Sequence, residues 1–301
     1  MSIRNFIFTS VVIGLFATVL SASVGFPSHT WVSGANGNDS NPGTRALPFA
    51  TFQAAVNGTA AGGIVSVADP GDFGPINITQ AITIDGGGVG GSITFTGANG
   101  IYVNAGSSDT VILRHLTING LGQGTNGIYF VAGAALLVED CALEGFTEVG
   151  IAVYAPGPQG PVVKNTTITG GLAGFEVPSY AGPVQSSLQG VTISNVSVVA
   201  VLAQTGVTTI SDSVITQSGI GLQSSDSSTI NAESCIFSYN TTAVLASTGS
   251  TIRLSNNDIF NNGTGIAAGG GTVATTGNNK KAGNPGTGQP VGAPNATIGI
   301  Q

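Results

Sequence analysis

Seven apolar residues, Ile118, Leu143, Ile168, Ile193, Ile215, Phe237 and Ile259, recur along the chain at spacings of 25, 25, 25, 22, 22 and 22 residues. A second short segment follows each of them: GIYF (127–130), GIAV (150–153), GFEV (174–177), VAVL (199–202), GIGL (219–222), AVLA (243–246) and GIAA (265–268). Apolar–x–apolar alternation of this kind marks a strand with one buried face. A unit of about 20–25 residues with two or three short strands cannot bury its inner face alone, so copies must stack, about 4.8 Å apart. The period therefore predicts an all-β fold, a single-stranded parallel β-helix or solenoid. An antiparallel sandwich or barrel would instead show hairpin turns and strands about every 8–12 residues, with no longer period. Earlier strands at Ile64–Val67, Ile76–Ile78, Ile82–Ile84, Ile93–Phe95 and Ile101–Val103 belong to less regular initial coils.

Composition narrows the function classes. Hydrophobic residues make up 41% of the chain, enough for a substantial core, and their regularity excludes disorder over most of its length. Lys and Arg total seven against 14 acidic residues, with no basic cluster. Nucleic acid is excluded as a partner, because phosphates are neutralised by clustered cations.

Residues 1–25 read as a signal peptide. Arg4 supplies the positive start, Val11–Leu20 the apolar stretch and SASVG the small residues after it. The competing reading is an uncleaved N-terminal anchor. The expectation is a secreted or periplasmic protein with no membrane span once the signal is removed. Residues 26–62 form an N-terminal cap region, 63–268 the β-helix, and 269–301 an irregular tail rich in Gly, Pro and Asn, whose final TIGI can add a last strand. In PFATFQAAV, Phe49, Phe52 and Val56 stand at helical spacing after Pro48. This predicts a short amphipathic helix covering the open end of the first coil. The oligomeric state is not legible.

Aligning the coils on their anchors turns single residues into columns. Five positions before each anchor stand Leu113, Val138, Val163, Leu188, Ile210, Ala232 and Leu254, a column facing the core. Four before stand Arg114, Glu139, Lys164, Gln189, Ser211, Glu233 and Ser255, which must face out. Three before stand His115, Asp140, Asn165, Gly190, Asp212, Ser234 and Asn256, a composition that tolerates left-handed φ. Glu139 thus lies between Arg114 and Lys164, in a surface ladder whose contacts are each worth at most about 1 kcal/mol. His115 reads as a hydrogen-bonding turn residue, and neither it nor His29 has metal-ligand spacing. Cys141 and Cys235 share a column two before the anchor, four coils or about 19 Å apart by strand spacing. A disulfide needs Cα atoms within about 7 Å, so two separate buried thiols are expected.

The stretches TWVSGANGNDSNPGTRALPFATFQAAV (30–56) and GGIVSVADPGDFGPINITQAITIDG (62–86) resemble the N-terminal end of exported proteins of the pectate-lyase-like, right-handed parallel β-helix superfamily. With the coils, the resemblance spans about 30–270. It implies the right-handed fold and export, and it leaves activity open among lyases, hydrolases, esterases, epimerases and non-catalytic members. In the lyases, acidic residues hold Ca²⁺ against a uronate while a basic side chain removes the C5 proton. That would cast Arg114 or Lys164 as base, with Glu139 and Asp140 as Ca²⁺ ligands. Two acids, one of them between two cations, make a poor Ca²⁺ site, since that ion takes about six to eight oxygens. Hydrolysis fits less well. Asp140 and Asp212 lie three coils or about 14 Å apart by strand spacing, against the roughly 5–9.5 Å that glycoside hydrolysis requires.

The sequence therefore favours a non-catalytic exported protein that binds a polysaccharide or cell-surface glycan, with no cofactor. A Ca²⁺-assisted polysaccharide lyase is the alternative. The expected binding face lies on the second strands and the loops YAPGPQGP (154–161) and PSYAGPVQ (178–185). Tyr129, Tyr154 and Tyr180 offer apolar ring faces to sugar C–H groups, and Glu176 can accept from sugar hydroxyls.

Overall fold

The computed structural model describes residues 25–157, 159–285 and 294–299. The signal segment lies outside the described residues except for Gly25. The chain winds about ten right-handed turns, each contributing one strand to three parallel sheets. Sheet A has 12 strands, from His29–Val32 to Ala296–Thr297. Sheet B has 10, from Gly71–Asp72 to Lys280–Ala282, and sheet C has nine, from Ile76–Ile78 to Thr264–Gly269.

The sequence columns reappear as registers. The anchors pair one above the other through sheet B, from Ile118↔Leu143 to Phe237↔Ile259. Leu113, Val138, Val163, Leu188, Ile210, Ala232 and Leu254 stack through sheet A, and all are buried. Between sheets A and B the chain turns a tight corner. His115, Asp140, Asn165, Asp212, Ser234 and Asn256 have φ between 46° and 56° there, with Gly190 at 64°. Short polar side chains and glycine accept this left-handed backbone most readily, which explains the composition of the column.

Several boundaries differ from the sequence expectation. The solenoid begins before the cap region ends, because His29–Val32 already pairs in sheet A. It also runs on beyond residue 268: Thr272–Thr275, Lys280–Ala282 and Ala296–Thr297 continue sheets A and B. The repeating block of sheet C is Ala200–Ala203 and Gly221–Ser224, one and two residues later than the quoted segments. The helix is Phe52–Asn57, later than Pro48 suggests. Thr51 caps it by accepting from the Ala54 N–H, while Phe49 makes a β-bridge to Val32 instead. Phe52 packs on Phe73, with ring centroids 4.9 Å apart. Gln53 bonds both backbone groups of Asn77 in the first strand of sheet C, so the helix closes a sheet edge that would otherwise be open.

Two buried polar ladders line the corners. Between sheets A and B, side-chain oxygens of Thr166, Ser213, Asn257 and Asn279 each accept a backbone N–H from the coil before, donated by Cys141, Val191, Cys235 and Asn257. Between sheets B and C, Ser218, Asn240, Asn262 and Asn284 do the same for Val196, Ser218, Asn240 and Asn262. Cys141 and Cys235 sit in the first column, free and buried. Burial pushes their thiols up to about 12 and about 11 respectively, so both stay protonated and unreactive.

One pair of buried hydroxyls is unsatisfied. Ser186 and Thr208 are in register in sheet A, in a column continued by Ile230 and Ile252, and neither hydroxyl oxygen has a partner. Thr208→Val keeps the shape and removes the stranded polar group. It should raise the unfolding free energy by about 1 kcal/mol, read as a higher denaturation midpoint. A lower midpoint would show that the hydroxyl is satisfied in solution.

Candidate functional site

Sheet C turns one column of side chains outward across successive coils: Asn77, Tyr102, Tyr129, Ala152, Glu176, Leu202, Gln223, Leu245 and Ala267. Tyr102 and Tyr129 are in register and their rings stack, centroids 5.9 Å apart and 10° from parallel. The next residue in the column is Ala152, whose methyl group leaves room above Tyr129. Tyr154, just past the strand, fills that room at 4.6 Å and 27°. Tyr180, from the following loop, leans on Tyr154 at 5.1 Å and 58°. Four rings thus form a continuous aromatic strip over four coils, at spacings close to the distance between strands.

The strip rests on an outer apolar cluster separate from the solenoid core. Val149, Ala152, Ala173 and Val199 are buried there beneath Tyr129, Tyr154, Leu202 and Ile220. Beside them runs an open groove of about 250 Å³, with Leu172 (49% exposed) and Val198 (51%) on its rim and Glu148 and Glu176 in its wall. Burial raises the Glu176 carboxyl above its usual range, and the negative Glu148 adds to this. Burial also raises the Tyr154 phenol, with Tyr180, Glu176 and Tyr129 contributing, and the Tyr129 phenol in the same direction. Tyr180 is the most open of the four rings, 71% exposed.

The structure therefore brings Tyr129, Tyr154, Tyr180 and Glu176 together on one face. Sequence reasoning missed Tyr102, although Gly100–Val103 reads in step with Gly127–Phe130. The irregular early coils hid the alignment.

The second cluster of sequence candidates lies on sheet A and its corner. Arg114, Glu139 and Lys164 are in register on consecutive coils, as the columns predict. The ionic contact is made elsewhere. Arg114 reaches back to Asp85, with Nε and Nη2 each 2.9 Å from Oδ2. Glu139 has no ion pair within 4.0 Å among the described residues. Two guanidinium N–H groups converge on the one Oδ2, and Asp85 stands directly in register with Arg114 to accept them. His115 Nδ1–H donates to Asp85 Oδ1 at 2.9 Å, since an ionised carboxylate only accepts, and its Nε2 lies 3.8 Å from Asp140. Burial alone would raise the Asp85 carboxyl. Hydrogen bonds from His115 and the Gly87 amide, together with the Arg114 charge, outweigh burial and hold it below the ordinary range.

Ca²⁺ does not fit this donor set. Both Asp85 oxygens are taken, and Glu139 stands between two cations. No three His, Cys, Asp or Glu side chains converge on one point among the described residues. The cluster is instead a source of modest stability. Asp85→Asn should cost about 1–2 kcal/mol and Glu139→Gln less than about 1, compared by chemical denaturation. The Asp85 pKa is lower folded than unfolded. Its stabilisation is therefore full above the ordinary carboxyl pKa of about 4 and lost on acidification below it. Equal losses for the two variants would restore Glu139 as a partner of Arg114.

Fold and face together define a right-handed parallel β-solenoid with an aromatic strip along one sheet. The chain belongs to the family described as the right handed beta helix region, which matches residues 99–284. Among solved structures it is similar to pectate lyase Pel9A, at 14% identity and a TM-score of 0.65 over 82% of this chain and 74% of that one. It is also similar to a rhamnogalacturonan lyase, at 13% identity and a TM-score of 0.40 over 82% and 75%. No curated protein matches. At this identity the likeness is one of fold.

Proposed function

We propose that the protein binds a polysaccharide or cell-surface glycan on the outer face of sheet C, without catalysis, as an exported protein. The observation that carries this reading is the strip Tyr102–Tyr129–Tyr154–Tyr180. The stacked rings of Tyr102, Tyr129 and Tyr154 turn their edges outward over an outer apolar cluster, and the open, tilted Tyr180 ring offers stacking area to the C–H face of a sugar. The phenol groups, which bond one another from Tyr129 through Tyr154 to Tyr180, have further capacity to bond sugar hydroxyls. The strip lies outside the solenoid core, which is formed on the inner side of the same strands. The groove beside it extends the same surface.

The test is binding of the pure protein to a panel of neutral and charged polysaccharides. The double variant Tyr129→Ala/Tyr154→Ala should weaken binding at least about tenfold, and the remote control Ser211→Ala should not. Equal retention by all three proteins would remove this face as the site. Absorbance of unsaturated products, released by the wild type and abolished by Glu139→Gln, would replace binding with the lyase reading.

A further inference from the structure

We infer that the glycan on this face is an amino-sugar polymer bearing free ammonium groups, read by Glu176 at the groove. This rests on the reading of sheet C as the binding face. The strands of sheet C contain no Lys, Arg or His. Glu176 is flanked in its column by Ala152 and Leu202, neither of which can bond a carboxylate through its side chain. It makes no ion pair within 4.0 Å among the described residues, and its nearest charged neighbour of consequence, Glu148, is also negative. A half-buried carboxylate without a counterion has lost hydration and gained nothing in exchange.

A ligand cation repairs that deficit. An ammonium group in the groove would form a charge-assisted hydrogen bond to Glu176 and lie within the field of Glu148. The open face of Tyr180 also attracts a cation. The raised carboxyl of Glu176 agrees with a site that lacks its positive partner. A uronate polymer would place like charge against both glutamates and be penalised at the same position. A basic peptide shares the charge. The open Tyr180 ring beside the groove favours a sugar, whose C–H face covers a phenol ring more fully than a flexible lysine chain does.

The experiment is calorimetric titration of the full chain with oligomers of equal length: glucosamine, N-acetylglucosamine, galacturonate and lysine. It is run at about pH 6, above the ordinary carboxyl range and below that of an amine. The glucosamine oligomer should bind at least about tenfold tighter than its N-acetylated counterpart, and Glu176→Gln should erase the difference while leaving weak binding of both. Equal affinity for the two, abolished by Tyr129→Ala/Tyr154→Ala, would overturn the ammonium inference and leave the glycan face standing. Tighter binding of galacturonate would do the same. Oligolysine bound as tightly as glucosamine would overturn the inference in favour of a basic peptide. Binding of none of the four would overturn the inference and the glycan reading for these sugars together.

Discussion

Asn262→Ala should lower the unfolding free energy by about 3–5 kcal/mol, far more than its modest size suggests. The side chain is buried at a corner where strands of sheets B and C cannot bond each other directly. Its Oδ1 accepts from the Asn240 backbone N–H and from Asn240 Nδ2, both at 3.0 Å. The two hydrogens of its Nδ2 are shared among the carbonyls of Phe237 at 2.9 Å and Phe260 at 3.1 Å and Asn284 Oδ1 at 3.0 Å. Removing one amide strands donors and acceptors on two adjacent coils in a place water enters with difficulty. Asn262→Ser should cost less, because Ser218 shows that a hydroxyl can still cap the N–H of the coil before. Asn262→Asp should cost at least as much as Ala, since it keeps the acceptor, loses both donations to carbonyls and buries a charge beside them. Denaturation midpoints in the order wild type, Ser, Ala, Asp would establish the ladder. Each coil contacts only its neighbours, so hydrogen exchange at Asn240 should quicken while that at Leu113 stays unchanged. An Asp variant as stable as the wild type would mean that the donated bonds contribute nothing.

The ladder was also the part of the fold least legible in the sequence. A run such as Asn256–Asn257 or Asn261–Asn262 reads as surface turn, because asparagine favours turns and is seldom buried. Only stacking shows that one member of each pair points inward: Asn256 and Asn261 take the left-handed corner, while Asn257 and Asn262 cap the neighbouring coil. The solenoid itself was legible because its signals are local and repeated. The anchors, the core column and the corner column each recur at the period of one coil, and each is paired in the structure as aligned. The charge cluster was legible in position and misread in contact. Asp85 lies 29 residues before Arg114, outside the 25-residue step, so the strongest partner of the guanidinium was invisible to the alignment. The aromatic face sits between these cases. Tyr129 and Tyr154 follow from repeated motifs, but their stacking depends on Ala152 being small, and Tyr180 joins only through the path of a loop.

Gly150→Val should cost about 3 kcal/mol or more and should disturb the aromatic face along with the fold. Gly150 belongs to a column of small residues in sheet C: Gly100, Gly127, Gly150, Gly174, Ala200, Gly221 and Ala243. A Cβ on Gly150 would lie 2.6 Å from the Gly174 carbonyl oxygen, 2.6 Å from Ile168 Cγ2 and 3.0 Å from Phe146 Cζ. None of the three yields cheaply. The oxygen is backbone, Ile168 is an anchor buried in the core, and the Phe146 ring is buried against the next coil, where Gly171 leaves it space. The strand Val149–Val153 must therefore shift outward or tilt, and it carries Ala152 and leads into Tyr154. A shift of a few tenths of an ångström already forfeits part of the ring contact at 4.6 Å between Tyr129 and Tyr154. The expected result is a lower denaturation midpoint together with weaker glycan binding, from a substitution that touches neither ring. Ala152→Gly makes the complementary test: it removes a methyl beneath the strip without crowding the coil, so the unfolding free energy should fall by only about 1 kcal/mol. Full stability in Gly150→Val would show that the coils of sheet C are looser than 2.6 Å approaches imply. Lost stability with unaltered glycan binding would separate the aromatic face from the packing beneath it.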